Sequence, residues 1–185
     1  MMYLQRIFET PRAFDRDVEW DGYTVYDAAG LLLRYLKCLP EPVIPYDCFS
    51  SFVALMVPKL ERTLEGSDTD AEMDAVECAY EILQEVPSYN RTLFMYLLDL
   101  LFLFSSDTDE DTMDVHTLVD IFQPSILSAA PSSMDADFYL LASRLVVLLV
   151  KNYIALSEWQ QSEQLQLIQT AMPVEEVDTG GASTA

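Results

Sequence analysis

Apolar residues recur along this chain at intervals of three and four, the spacing that lines one face of a helix. The segment VYDAAGLLLRYLKCL shows it most clearly. Val25, Ala28, Ala29, Leu32, Leu36 and Leu39 would form one buried stripe, with Arg34 and Lys37 together on another face. Thr24 is its expected N-cap, and Asp27, three residues on, completes a capping box. Pro40 ends this helix. Because Pro40, Pro42 and Pro45 each fix φ and lack a backbone donor, residues 39–45 are expected to form a stiff, extended corner.

The remaining apolar runs predict further helices. Leu4, Ile7 and Phe8 read as the middle or end of a helix broken by Pro11, after which Trp20 and Tyr23 pin the entry to the next element. Beyond the corner, residues 48–64 bury Phe49, Phe52, Val53, Met56 and Leu60, with a bend or division at Pro58. Residues 71–86 form a surface helix with Met73, Val76, Ala79, Tyr80 and Leu83 inward. Residues 89–104 are apolar on nearly all sides, which places them at the centre of a bundle. An exposed acidic loop over 105–111 leads to a short helix, 113–122, that stops before Pro124. Asp135 starts a second core helix over 138–155, followed by a Gln-rich amphipathic helix over 158–170. The expected organisation is a helical domain over 1–156, a C-terminal helix over 157–171 and a disordered tail over 172–185.

Composition narrows the class. A chain of 185 residues with 51% hydrophobic residues and five glycines suits one helical domain better than a hairpin-rich fold. A net charge of −21 argues against binding DNA, RNA or anionic lipid, since neutralising phosphates requires clustered cations. Cys38, Cys48 and Cys78 are odd in number and set among apolar residues, as reduced core thiols of a cytosolic protein would be. The N-terminal residues lack the apolar core of a signal peptide. The most apolar runs, 93–104 and 138–156, carry Asp99 and the pair Arg144 and Lys151, so neither reads as a transmembrane segment.

Familiar catalytic patterns are missing. Asp107, Asp109 and Asp111 are spaced like the start of a calcium loop, but Thr112 and Leu118 stand where that loop needs glycine and a bidentate acid. His116 is the only histidine, with no partner at metal-ligand spacing, and no nucleophile turn or phosphate-cradling loop accompanies it. No metal and no cofactor is expected. What remains favours a binding or regulatory module over an enzyme in its own right. Arg34 and Lys37 are the candidate contacts, for an acidic partner surface or a phosphate; cations at a helix C-terminus are equally what the macrodipole favours.

Three ordered strings add a resemblance. LLLRYLKCLPEPVIPYDCF resembles the helix and Leu-Pro-x-Pro corner of RhoGAP domains, the GTPase-activating domains for Rho-family GTPases. LQEVPSYNRTLFMYLLDLLFLF resembles a second block of that family, with Pro87 and Asn90 in place, and LVDIFQPSILS resembles a third. The continuation through residue 150 looks like fungal members. Over residues 1–155 the resemblance implies an all-α RhoGAP-like bundle that docks on the switch regions of a GTP-bound Rho-family GTPase. It implies GTPase-binding roles for Leu33, Arg34, Lys37, Pro40, Pro42 and Ser125. Leu33 stands where the family commonly has lysine, Lys37 where it has arginine, and Ser125 where it has asparagine.

The family's arginine finger lies in a G-x-F-R-x-x-G loop and contributes on the order of 10³ to 10⁵ in rate. LQRIFETP resembles the segment just after that loop, so the expectation is a domain lacking its first helix and finger, with no catalytic residue of its own. Arg6, Arg12 and Arg16 lie too late to replace it. The expected function is therefore that of a Rho GTPase-activating domain with weak or lost acceleration. Alternatives are a noncatalytic GTPase-binding adaptor of the same fold and an unrelated acidic helical scaffold. The expected location is cytoplasmic, with recruitment to the membrane or cell cortex through the GTPase, and oligomeric state stays open.

Overall fold

The computed structural model describes Arg6, Phe8 and residues 20–65, 69–106, 113–133 and 135–171, apart from the side chains of residues 64, 65, 167–169 and 171. Among the described residues there are seven helices and no strands. They are α1 (Val25–Lys37), α2 (Tyr46–Glu65), α3 (Thr69–Glu85), α4 (Ser88–Ser106), α5 (Val115–Ile126), α6 (Ala136–Lys151) and α7 (Tyr153–Ala171). One compact unit runs through Tyr153 and a second begins at Ile154. Of the expected helix over 1–9 only Arg6 and Phe8 are described, both helical, and most of the acidic loop and the tail lie outside the described residues.

Entry to α1 follows the sequence closely. Trp20 and Tyr23 meet edge to face, and the amide of Tyr23 donates to the carbonyl of Trp20 at 3.0 Å across a turn. Gly22 takes a φ of +85° there, the left-handed conformation that L side chains rarely adopt. The Thr24 hydroxyl accepts from the Asp27 amide, and the Asp27 carboxylate accepts from the Thr24 amide at 2.9 Å, so the capping box forms. The bond from the Thr24 amide, and then one from its hydroxyl, hold the Asp27 carboxyl below its ordinary value. The expected stripe is only partly buried. Leu36 is buried, Ala28 and Leu32 are half-buried, and Val25 and Ala29 are exposed.

α2 and α3 form the most extensively packed helix pair. Phe49, Phe52, Met56 and Leu60 point inward, as expected, and α2 continues through Pro58 without division. The buried face of α3 is shifted from expectation, because Ala71, Ala75 and Ala79 at four-residue spacing let the two backbones approach. Ile82 is buried in consequence, Met73 is exposed and Tyr80 is half-buried. Asp74 accepts both Lys59 Nζ, at 2.8 Å, and Arg62 Nη1, at 3.0 Å, which ties α2 to α3.

α6 contributes more buried residues than any other helix and contacts α2, α4 and α5. Asp135 caps it, accepting from the Phe138 amide at 2.8 Å, and Ala142, Leu145, Val146 and Leu149 are sealed from solvent. The expected run to residue 155 is interrupted at Asn152. That side chain donates to the Leu148 carbonyl and to Glu72 Oε1, terminating the helix. α4 is less central than its composition implies. Phe94, Leu98 and Leu101 face the core, whereas Tyr89, Tyr96 and Leu103, seven residues apart, form an outward stripe.

α5 runs to Ile126 and carries Pro124 in its last turn instead of stopping before it. Proline there frees the Asp120 carbonyl, four residues earlier, and the Tyr139 hydroxyl lies 3.5 Å from that oxygen. In the second unit, α7 is not amphipathic in the expected way. Ile154 and Leu165 are both exposed, and serine and threonine hydroxyls at 157, 162 and 170 donate back to carbonyls three or four residues earlier. Among the described residues no single helix is long and apolar enough to cross a membrane.

Candidate functional site

The three prolines leave the chain between Pro40 and Pro45 with amide donors only at Glu41, Val43 and Ile44. Two of these reach α5. The amide of Val43 donates to the Ser125 carbonyl at 3.0 Å and that of Ile44 to the Ile126 carbonyl at 2.8 Å. Both acceptors sit in the last turn of α5, where helix carbonyls lack intrahelical partners. The corner thus caps α5, and Val43 and Ile44 are fully buried in doing so. Asn90, in the first turn of α4, donates Nδ2 to the Val43 carbonyl at 2.8 Å. On the far side of the corner, Glu41 Oε2 accepts from the Tyr46 amide at 3.3 Å and caps the start of α2.

This frame fixes where the expected contact residues lie. Arg34 and Lys37 occupy the last turn of α1, exposed, beside an exposed Tyr35; among the described residues neither cation forms an ion pair. Leu33 is half-buried. Pro40 is exposed at the tip of the corner, whereas Pro42 is buried. Ser125 is 6% exposed, and its carbonyl serves the corner. The cations and Pro40 are therefore exposed, and Pro42 and Ser125 are buried. In the sequence Asn90 is visible only as a motif position, and its bond to the corner is not. The available signal was the shortage of donors in a Pro-rich corner, whose carbonyls must find partners elsewhere.

Other chemistry is sparse. The cysteines are free, but they are not core thiols: Cys38 is exposed, and Cys48 and Cys78 are half-buried. Burial is the main cause that pushes both of the latter thiols up from their ordinary value. His116 uses its amide to meet the N-cap Asp114. An open hollow of about 380 Å³ is lined by Phe102, Met113 and Val115 together with Ser105, Ser106, Asp114 and Lys151. Among the described residues no group of three or more His, Cys, Asp or Glu could hold a metal ion.

The RhoGAP domain family model matches residues 1–131, which include the corner, both cations, Asn90 and the end of α5. The chain belongs to the RhoGAP domain family. Similar RhoGAP proteins include Rho-GTPase-activating protein 5 of Schizosaccharomyces pombe, 34% identical over 150 residues, covering 80% of this chain and 39% of that protein. Rho-GTPase-activating protein BAG7 of Saccharomyces cerevisiae is 36% identical over 148 residues, 78% of this chain and 34% of that one. The chain thus spans well under half of these fungal relatives. The crystal structure of human Rho GTPase activating protein 15 superposes with a TM-score of 0.63 at 18% identity, over 84% of this chain and 71% of that one, and supports the RhoGAP fold.

Proposed function

We propose that this chain docks on the switch regions of a GTP-bound Rho-family GTPase through the end of α1 and the proline corner, and regulates GTP hydrolysis there. The observation that carries the reading is the pair Arg34 and Lys37, exposed and without ion pairs among the described residues, beside a rigid corner in a RhoGAP-family domain whose net charge is −21. In so acidic a chain a local cationic surface favours a partner with complementary charge at that point. Leu33 and Pro40 contribute apolar contact, and Pro42 and Ser125 hold the surface in shape. The protein acts as a GTPase regulator, in the cytoplasm and, through its partner, at the membrane or cell cortex.

The 185 residues contain no G-x-F-R-x-x-G string, and by themselves they accelerate hydrolysis weakly or not at all. The same observation favours a second reading, a noncatalytic adaptor that binds the GTPase. Single-turnover GTP hydrolysis with a panel of Rho-type GTPases, run alongside binding, separates the two. Acceleration supports an activator and binding without acceleration an adaptor. Neither one refutes the docking reading.

A further inference from the structure

The junction between the corner and α5 is held by more than the two backbone bonds. The Val43 carbonyl, buried with its residue at 1% exposure, has Asn90 Nδ2 as its partner at 2.8 Å, across 47 positions in sequence. From the other side, wholly buried Gln123 donates Nε2 to the Leu127 carbonyl at 2.5 Å and fixes the chain leaving α5. Its Oε1 has no hydrogen-bond partner among the described residues. A buried amide oxygen left unpaired costs stability.

We propose that Asn90 is a positioning residue for GTPase docking: its amide locks the Val43 carbonyl and holds the corner in register with the end of α5. Arg34, Lys37 and Pro40 then present one rigid arrangement to the partner. The proposal rests on the docking reading given above. Asn90 is half-buried at the start of α4. It acts through Val43, whose amide and carbonyl connect α5 to α4, and without its donor the Val43 carbonyl is left buried and unpaired.

Asn90→Asp keeps the shape and removes the donor, Asn90→Ala removes both, and Asn90→Gln retains an amide donor. Hydrogen exchange of the Val43 and Ile44 amides, read by NMR without any partner, reports the lock. Affinity for a Rho-type GTPase loaded with a non-hydrolysable GTP analogue reports positioning. Loss of the donor is expected to speed exchange at Val43 and Ile44 about tenfold, with Val146 and Leu149 in α6 unchanged, and to weaken binding about tenfold. Asn90→Gln should recover part of both effects. Unchanged exchange at Val43 and Ile44 overturns the proposal. So does exchange accelerated equally in α6, which means general destabilisation, or accelerated corner exchange with unaltered affinity. A wild-type chain that binds no GTPase refutes the docking reading and the positioning role with it, and the partner-free exchange rates still show whether the lock exists.

Discussion

Leu36 is the only residue of α1 that is fully sealed from solvent, at 2% exposure, and α1 packs against α5. The helix that carries both cations is therefore anchored mainly at one point. Burying a leucine stabilises by about 1.5 to 3 kcal/mol, and truncation to alanine adds a cavity cost, so Leu36→Ala should destabilise by roughly 3 kcal/mol. Because Val25 and Ala29 lie exposed and contribute little, the loss should concentrate in α1. Urea unfolding combined with residue-resolved hydrogen exchange tests this. The expected result is a lowered midpoint, with α1 amides opening well before those of α6. Leu149→Ala, in the sealed centre of α6, should cost a similar amount but open all helices together. A Leu36→Ala variant within about 1 kcal/mol of wild type, or one whose α1 exchanges no faster, would refute the single-anchor reasoning.

Three further outcomes follow from particular contacts. Gly22→Ala should destabilise by about 1 kcal/mol in thermal or urea unfolding, a backbone effect alone, since nothing lies within 4 Å of the added methyl. The Asp74 carboxyl is held below its ordinary 3.8, first by its hydrogen bond from Lys59. That stabilisation is full above the ordinary value and is lost as pH falls through the depressed one; Asp74→Asn should therefore flatten the acid limb of the stability curve, and an unchanged limb would count against the bond. Iodoacetamide near neutral pH should modify Cys38 first, because it is exposed, while half-burial and raised thiol values slow Cys48 and Cys78; peptide mapping by mass spectrometry reads the order.

The features legible in sequence were the locally determined ones. Thr24 with Asp27, and Asp135, announce helix starts because cap and partner lie within three residues of each other. The proline corner was legible for the same reason. Faces were harder, since the inward side of a helix depends on its neighbour. Ala71, Ala75 and Ala79 look neutral in sequence yet set the α2–α3 contact and expel Met73. A Tyr at every seventh position cannot be told from core until packing leaves it outside, as happens to Tyr89 and Tyr96. Pro124 misleads because a proline in the last turn removes only one bond, which Tyr139 approaches from another helix. In the candidate site, the cations and corner were visible as residues. The burial of Pro42 and Ser125, and the bond from Asn90 to Val43, depend on contacts between segments far apart in the chain.

The end of α1 and the proline corner are proposed as the face that meets a Rho-family GTPase. Equilibrium binding of the wild-type chain and of the double variant Arg34→Ala, Lys37→Ala to a GTP-analogue-loaded Rho-type GTPase tests it most directly. Both side chains are exposed and free of ion pairs among the described residues, so the variant should keep its helical content and melting behaviour. Affinity should fall at least tenfold in the variant, and the wild-type affinity should weaken with rising salt. Equal affinity in the two proteins would contradict it.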